Sequence, residues 1–309
     1  MMQKRFISTN MKIFMLLLFL LSITFYASGC ITLVQSGYKL SDYANELNIN
    51  PNAFKFDLKV DGLNFDFNDS SISKDYTLND NITEININLN SQDIKVINYD
   101  GQDLKVQIKS HSNISSELPM TANGNKLVFN TQYDTPSNAT VSVSIPNRFK
   151  DKGTLKVVTS SGHIDISNMN VNTLNLSSAS GDINASNLNL NYLSLNSSSG
   201  NINFDTTKTL METKFTSSSG NIVGSGTLES VTGSTSSGDI HLKLKDSLSN
   251  TSLSTASGDV SLSLPKNLGY KINYETVSGD LDSPSGELSL GDGSSIINVN
   301  TISGDLNIK

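Results

Sequence analysis

The chain has 309 residues, of which only 17% are charged, with no tryptophan and a single cysteine. One cysteine excludes a disulfide framework. The formal net charge is −7, or −10 when the three cations of residues 1–29 are left out. The sequence also has no cluster of Lys and Arg with interleaved aromatic residues. Charge and composition therefore exclude nucleic acid as a partner.

Residues 1–29 have the pattern of a secretory signal peptide. Lys4, Arg5 and Lys12 precede the apolar run 13–26, and three small residues follow it. Cys30 comes directly after them, which resembles a bacterial lipoprotein signal. That resemblance implies cleavage before Cys30, lipidation of its thiol, and attachment to the membrane through this N-terminal lipid anchor.

Two other interpretations of this region stay open. The uncharged stretch 13–34 has 22 residues, which is long enough to span a bilayer without cleavage. Alternatively, cleavage releases the protein completely. All three place the body of the protein outside the cytoplasm, and the lipoprotein interpretation predicts a cell-membrane location facing the extracellular or cell-wall side.

Residues 30–52 are predicted to form a tether, and residues 53–80 an N-terminal β-hairpin annex or cap. Apolar residues alternate from Phe54 to Val60 and again from Leu63 to Phe67, with Asp61-Gly62 between them. An Asp-Gly pair between alternating runs is a strong hairpin signal. Aromatic residues gather in this region, either to fill the core of the cap or to form a partner-binding patch.

Residues 81–309 are predicted to form a repeat domain. Between residues 159 and 306 the chain contains eight copies of one six-residue motif. The motif consists of a hydroxyl residue, any residue, Ser, Gly, a polar residue and an aliphatic residue. The steps between successive glycines are 18 to 25 residues, and a fixed period of this size indicates stacked units. The predicted structural turn glycines are Gly162, Gly181, Gly200, Gly220, Gly238, Gly258, Gly279 and Gly304.

Each copy alternates apolar and polar residues on both sides of its glycine, as in Leu155, Val157, Ile164 and Ile166 of the first copy. This period of two predicts strand, turn, strand, and hence an all-β, parallel β-solenoid of about 19–20 residues per coil. The glycine either adopts a backbone conformation closed to other residues or permits close approach between coils. The hydroxyl residue three positions earlier is expected to point inward and bond the turn backbone.

The last copy ends at Lys309, and its open strand edge needs a cover. The long step from Gly279 to Gly304 predicts a protruding hairpin or a shortened coil. Either residues 282–296 fold over the edge, or a partner strand adds to it.

The recurring Ser-Gly-Asp-Ile turns, together with the signal sequence, resemble the bacterial "putative adhesin" β-strand-repeat family, a domain of unknown function. The resemblance covers roughly residues 80–309. It implies a surface-exposed β-solenoid with links to adhesion or envelope stress. The family has no agreed catalytic residues, so it assigns none to this chain.

The residue after each glycine is usually acidic or an amide. A row of such side chains on stacked turns offers oxygen ligands for Ca²⁺, which makes a calcium-binding surface repeat one alternative. Ordinary turn chemistry, in which Asp and Asn bond nearby backbone, is the other interpretation, and we predict no metal site. The residues are His163, Asp182, Asn201, Asn221, Asp239, Asp259, Asp280 and Asp305.

We predict a non-enzymatic cell-surface lipoprotein that displays the solenoid for adhesion or for envelope-associated interaction or sensing. Its expected ligand is a protein or a cell-wall polymer, with no cofactor. The alternative is a cell-envelope carbohydrate-active enzyme on a β-helix, which needs paired acids in a cleft. The candidate groups are scattered, and none of the histidines has a neighbouring His or Cys; they are Glu117, Glu212, Glu229, Glu275, Glu287, His111, His163 and His241.

Overall fold

A computed structural model describes residues 70–309, with gaps at 111, 113, 115–117, 119, 132–134, 150–152, 247–249, 266–268 and 284–287. The predicted signal peptide, Cys30, the tether and the hairpin of 53–67 lie outside the described residues. The described residues form 24 strands and one short 3₁₀ helix, Asn147–Phe149. None of them forms a helix long and apolar enough to cross a lipid bilayer.

The strands make two sheets of twelve. Sheet I contains β1 (Ser70–Thr77), β3 (Asp93–Tyr99), β4 (Asp103–Ser110), β7 (Thr140–Pro146), β9 (Ile164–Ser167), β11 (Ile183–Leu188), β13 (Ile202–Thr206), β15 (Ile222–Gly226), β17 (Ile240–Leu244), β19 (Val260–Ser263), β21 (Leu281–Asp282) and β24 (Leu306–Ile308). Sheet II contains β2 (Glu84–Asn88), β5 (Met120–Asn123), β6 (Lys126–Asn130), β8 (Thr154–Thr159), β10 (Thr173–Ser178), β12 (Tyr192–Ser197), β14 (Glu212–Ser217), β16 (Ser230–Thr235), β18 (Asn250–Thr255), β20 (Tyr270–Glu275), β22 (Ser289–Leu290) and β23 (Ser295–Thr301).

Each regular coil contributes one strand to each sheet, and the glycine turn joins the two. Residues 154–167, for example, run along β8 in sheet II, pass through the turn at Gly162, and return along β9 in sheet I. Successive coils pair in parallel, as β8 with β10 and β9 with β11. The prediction of a parallel β-solenoid is therefore confirmed, and the structure adds that a coil has two main faces.

The core lies between the sheets and is built from side chains stacked in register. One row in sheet I runs through Ile164, Ile183, Ile202, Ile222 and Ile240, each aligned with the next, and all five are fully buried. Burying one such side chain stabilises the fold by about 1.5–3 kcal/mol relative to leaving it exposed. Because a coil buries these residues only against its neighbours, the stack is what stabilises the domain.

The order of coils in space differs from their order in the chain at both ends. At the first end, β6 and β7 lie outside β2 and β3, although they follow them in sequence. At the other end, β23 and β24 lie between the β18–β19 coil and the outermost β20–β21 coil. The prediction that the last copy forms the open edge at Ile308-Lys309 is wrong, since β24 pairs on both sides, with β19 and β21.

The parallel stack is bounded at the first end by antiparallel strands. β1 pairs antiparallel with β4, which pairs antiparallel with β7, and β5 pairs antiparallel with β6. β1 falls within the annex predicted for residues 53–80. An antiparallel strand ends the repeated parallel pairing, so this end differs from the regular coils.

Candidate functional site

The eight glycine turns stack into a column along one side of the solenoid, in the spatial order 162, 181, 200, 220, 238, 258, 304 and 279. A Cβ added to Gly181 would lie 2.0 Å from the carbonyl oxygen of Gly162, and one added to Gly200 would lie 2.1 Å from that of Gly181. None of the eight has a positive φ. Close approach between coils, rather than a left-handed backbone, is therefore the reason for glycine at this position.

The hydroxyl residue three positions before the glycine is buried in seven of the eight copies, whereas Thr276 in the outermost copy is exposed. The Oγ of Ser178 accepts a hydrogen bond from the Gly181 N–H at 2.9 Å and donates one to the Gly162 carbonyl of the preceding coil at 3.3 Å. The same within-turn bond recurs in six copies, at Gly162, Gly181, Gly200, Gly220, Gly238 and Gly258. The prediction of an inward hydroxyl bonded to the turn backbone is confirmed for these copies.

At the first end, Gln92 takes the place of the glycine. A Cβ on Gly162 would lie 1.9 Å from the Gln92 carbonyl oxygen, so Gln92 continues the column. Its buried side chain accepts hydrogen bonds from the N–H groups of Asn90 and Ser91 and donates to the carbonyls of Thr135 and Pro136. The glutamine amide thus joins the first turn to the neighbouring segment at Thr135 and Pro136.

The residue after each glycine links one coil to the next. The Oδ1 of Asp182 accepts the Asn201 N–H at 2.8 Å, and the Oδ1 of Asn201 accepts the Asn221 N–H at 3.0 Å. His163 fits the same pattern, because its Nδ1 accepts the Asp182 N–H at 3.0 Å. The row, which we call the turn ladder, consists of Asp93, His163, Asp182, Asn201, Asn221, Asp239, Asp259, Asp305 and Asp280.

The turn ladder gives a structural reason for the residue types after each glycine, which are the residues that suggested calcium binding. Each needs a hydrogen-bond acceptor that reaches the neighbouring backbone, and Asp, Asn and neutral His all supply one. Within the described part of the chain, no three His, Cys, Asp or Glu side chains come together as a metal site requires. The geometry therefore favours turn chemistry, extended from the turn itself to the next coil.

The outer faces of both sheets carry polar, mostly uncharged rows. On sheet I the Nδ2 of Asn184 donates to Asp165 at 3.1 Å, and the Nδ2 of Asn203 donates to Asn184 at 2.9 Å. On sheet II, Asn175, Ser194 and Lys214 are aligned in neighbouring strands. Parallel coils place equivalent side chains about 4.8 Å apart, so polar side chains recur along these faces, with Val223 interrupting the sheet I row after Asn203.

A shallow depression of about 260 Å³ interrupts the face of sheet II around Tyr192, which is 39% exposed. Its lining includes Asn175, Glu212 and Lys214, and the last two form an ion pair. Glu212 therefore faces a lysine rather than a second acid.

A second depression, of about 190 Å³, lies at the first end between Leu78, Ile82 and Phe149. Arg148 lines it and donates a hydrogen bond to the Leu78 carbonyl, with Asp80 3.6 Å away. Its described lining also includes the polar residues Asn79, Asp80 and Thr83, and Asp80 faces the Arg148 cation.

Residues 82–309 match the family described as Toastrack DUF4097. The chain belongs to the Toastrack DUF4097 family. The resemblance predicted from the Ser-Gly-Asp-Ile turns is confirmed, and the repeat region is a Toastrack domain.

One solved structure supports the same fold for the Toastrack domain. A protein described as a "putative adhesin" from Bacteroides fragilis NCTC 9343 aligns with 78% of this chain and 97% of its own, at 14% identity and a TM-score of 0.51. A "putative adhesin" from Parabacteroides merdae ATCC 43184 aligns with 77% of this chain and 96% of its own, at 12% identity and a TM-score of 0.41. A "putative cell adhesion protein" from Clostridium sporogenes ATCC 15579 aligns with 78% of this chain and 99% of its own, at 12% identity and a TM-score of 0.25. No curated protein matches the chain.

The histidines and acids considered for catalysis are dispersed over the Toastrack domain. His163 Nδ1 lies 3.9 Å from Asp182, and His241 Nε2 lies 4.0 Å from Asp239, both at the exposed turn ladder. Glu229 and Glu275 belong to different coils, separated by the β18 and β23 coils. His111, Glu117 and Glu287 lie outside the described residues.

Two carboxylates among the described residues of the Toastrack domain have shifted pKa values. A hydrogen bond from Lys126, which approaches both carboxylate oxygens at 2.9 and 3.1 Å, holds the pKa of Glu84 below its ordinary value. The backbone N–H of Ser294 lowers the pKa of Asp292. Both shifts stabilise a charged carboxylate in a structural contact, and neither poises a proton donor near neutral pH.

Some residues that shape the Toastrack domain escaped sequence reasoning. Asn168 and Asn187 have positive φ angles of 52° and 54°, and Gly226, also six positions after a turn glycine, has a φ of 144°. Asn and Gly tolerate this region, so their shared position after the glycine was the available signal. These residues redirect the chain from sheet I toward the next coil.

Proposed function

We propose that this chain is a lipoprotein anchored through Cys30, whose Toastrack domain is displayed on the extracellular or cell-wall side of the membrane and binds an external ligand there without catalysis. The ligand is a protein or a cell-wall polymer. Adhesion is the function that this arrangement supports best, with envelope sensing as the related role.

The observation that carries this proposal is the repetition of polar rows on the outer faces. Asn, Ser and Thr side chains recur at every coil, and a ligand that lies along the faces meets many equivalent contacts. Weak contacts of this kind gain strength by multivalency, because a ligand held at one coil is at high effective concentration for the next. The hydrogen-bonding groups suit hydroxyl- and amide-rich polymers and extended proteins.

Binding is tested with the full chain, immobilised and exposed to purified peptidoglycan, teichoic acid and host matrix proteins. We expect saturable binding to one class. A matched pair of variants locates it: Asn184→Lys interrupts the polar row of sheet I, and Asn175→Lys interrupts that of sheet II. Loss of binding in one variant assigns the face; binding to no member of the set, or release of soluble sugars from the polymer, would contradict the proposal.

Anchoring is tested by fractionating cells that express the wild type or Cys30→Ala. The lipoprotein interpretation predicts that the variant leaves the membrane fraction or is mislocalised, and that labelled fatty acid enters only the wild type. Unchanged membrane retention, without label in either protein, would favour the uncleaved apolar segment 13–34 as the anchor.

A further inference from the structure

The outer face of sheet II carries one exposed aromatic side chain among the described residues. Tyr192 is 39% exposed, whereas the described phenylalanines and the other described tyrosines are buried or half-buried. It lies on β12, aligned with Thr173 of β10 and Glu212 of β14, and these coils belong to the unbroken described range 153–246. A single exposed apolar residue is ordinary on a protein surface, so the groups around Tyr192 decide whether it marks a site.

Tyr192 forms one wall of the depression of about 260 Å³ on sheet II. The strand register places the small side chain of Ser194 between Asn175 on one neighbouring strand and Lys214 on the other. Because larger side chains stand around a serine, the face sinks at that point into a basin with an aromatic wall. We call it the Tyr192 basin.

The polar groups of the Tyr192 basin are available to a ligand. Among the described residues, none forms a hydrogen bond with the side chains of Asn175 and Ser194 or with the Tyr192 hydroxyl. Farther along the same strands, by contrast, the Oγ1 of Thr216 donates to Asn196 at 2.7 Å. An amide and a hydroxyl each supply a donor and an acceptor, which is the combination that hydroxyl groups of a ligand require.

Charge at the Tyr192 basin is mixed in sign. Glu212 forms an ion pair with Lys214, and Lys156, which is aligned with Asn175 on the next strand, interacts with the charge of Glu84. Clefts lined by charge of one sign concentrate a ligand of the opposite sign, and this basin is not such a cleft. An uncharged ligand leaves the pairs intact and is therefore favoured over a polyanion or a basic segment.

The size of the Tyr192 basin favours a single ring over a protein surface. Pockets for whole drug-sized ligands have about 300–1,000 Å³, which is more than this basin offers. Stable protein interfaces bury about 1,200–2,000 Å² around an apolar core. Apart from Met211, which is 49% exposed, the described side chains that line or adjoin the basin on this face are polar.

A pyranose ring matches these features. A sugar with equatorial hydroxyl groups has an apolar face of C–H bonds and a polar rim. The negative π face of an aromatic ring attracts the weakly positive C–H hydrogens, while donors and acceptors beside it bond the rim. Tyr192 supplies the first kind of contact, and Asn175 and Ser194 supply the second.

We infer that the Tyr192 basin binds one pyranose unit of an uncharged glycan. One face of the sugar ring stacks on Tyr192, and its hydroxyl groups bond Asn175 and Ser194. The inference rests on the proposed function, in which the external ligand is a protein or a cell-wall polymer, and it adds the place and the chemical class of the contact. Repeated units of a glycan raise the effective concentration of sugar at the basin.

The test is a titration of the full chain with chitotriose and cellotriose, the trimers of N-acetylglucosamine and glucose, followed by calorimetry and saturation-transfer NMR. We expect saturable binding of at least one trimer, with the strongest transfer to the C–H protons on one face of a ring. Tyr192→Ala should weaken binding roughly ten-fold, since one aromatic contact is lost. Tyr192→Phe keeps the ring and should bind like the wild type.

A second pair of variants tests the shape of the basin. Ser194→Gln fills the floor with a larger polar side chain and should weaken binding roughly as much as Tyr192→Ala does. Ser261→Gln makes the same change on the outer face of sheet I, on β19, and should leave binding unchanged. Equal melting temperatures of the four variants would show that the solenoid itself is intact.

Three outcomes would overturn the inference. They are no binding of either trimer, equal binding by the wild type and Tyr192→Ala, and binding of an octapeptide of alternating Ser and Gln in place of the sugars, which would assign the basin to an extended protein. If the trimers fail while the full chain still binds peptidoglycan, teichoic acid or a matrix protein, the basin is not the site and the proposed function stands.

Discussion

Substituting Gly200 by alanine tests whether close approach between turns is what the repeat requires. The added Cβ would lie 2.1 Å from the Gly181 carbonyl oxygen, whereas a carbon and an oxygen in contact need about 3.3 Å. Gly200 also lies between two other turns, because a Cβ on Gly220 would lie 2.0 Å from the Gly200 carbonyl oxygen. The coil cannot move away from Gly181 without pressing on Gly220.

The expected cost follows from the contacts that must give way. Overpacking by one methyl group costs about 1–3 kcal/mol. Separating the turns also weakens the bonds across them, from the Asn201 N–H to Asp182 and from the Ser199 N–H to the Ala179 carbonyl, each worth about 1 kcal/mol. We therefore expect a loss of about 3 kcal/mol. For a domain of this size that corresponds to a fall in Tm of roughly 6–12 °C.

Thermal unfolding of the full chain, followed by circular dichroism, measures this loss. Gly279→Ala is the matched control, since its Cβ would lie 2.2 Å from the Gly304 carbonyl oxygen, almost the same contact. Gly279 belongs to the outermost coil, which can shift outward, so its loss should be at most about half as large. Equal losses in the two variants, or a Gly200→Ala protein as stable as the wild type, would refute the reasoning.

Four further changes test individual contacts by unfolding experiments. Ser197→Ala should cost about 1 kcal/mol, because the Gly200 N–H loses its acceptor, while Ser197→Thr should be tolerated as in the copies that carry Thr. Thr213→Val should stabilise by about 1 kcal/mol, since the buried hydroxyl has no hydrogen-bond partner among the described residues. Asp259→Asn should keep the turn-ladder bond and the stability of the domain, whereas Asp259→Ala should lower the free energy of unfolding by about 1 kcal/mol. Addition of 1 mM Ca²⁺ should raise the Tm of none of these proteins. The lowered pKa of Glu84 gives stability that is present above the ordinary glutamate pKa of about 4.3 and is lost as pH falls through the lowered value. Glu84→Gln should therefore remove about 0.5 kcal/mol at pH 7 and less than that at pH 2.

The regular part of the fold follows from the sequence because its determinants are local. The glycine, the inward hydroxyl and the alternating aliphatics recur at nearly fixed spacing, so one copy predicts the others. Ile164 and Ile183 stack as their equal distance from Gly162 and Gly181 requires.

The ends of the stack depend on non-local pairing, which no local pattern reports. Whether β23 pairs with β18 or with the outer side of β20 depends on which arrangement buries Ile297 and Val299 better, and both arrangements satisfy the same alternation. Chain order therefore misplaced the open edge at Ile308-Lys309, and the exposed end is instead the β20–β21 coil.

Packing across coils is invisible in a single copy for the same reason. Phe215 aligns with Gly233, where an added Cβ would lie 1.8 Å from the Phe215 ring, and Phe204 aligns with Gly224. The two rings meet at a centroid distance of 6.0 Å. A phenylalanine in one coil and a glycine in the next fill the core together, so each of these two glycines is explained by its neighbour.

The turn ladder places like charges next to one another in the outer half of the stack. Four carboxylates, Asp239, Asp259, Asp305 and Asp280, follow one another from the middle of the stack to the outermost coil. At a spacing of about 4.8 Å, neighbouring charges repel by roughly 0.9 kcal/mol in water. A hydrogen bond to a charged acceptor returns about 1.5–3 kcal/mol, so each rung remains favourable while the row keeps an unrelieved negative potential.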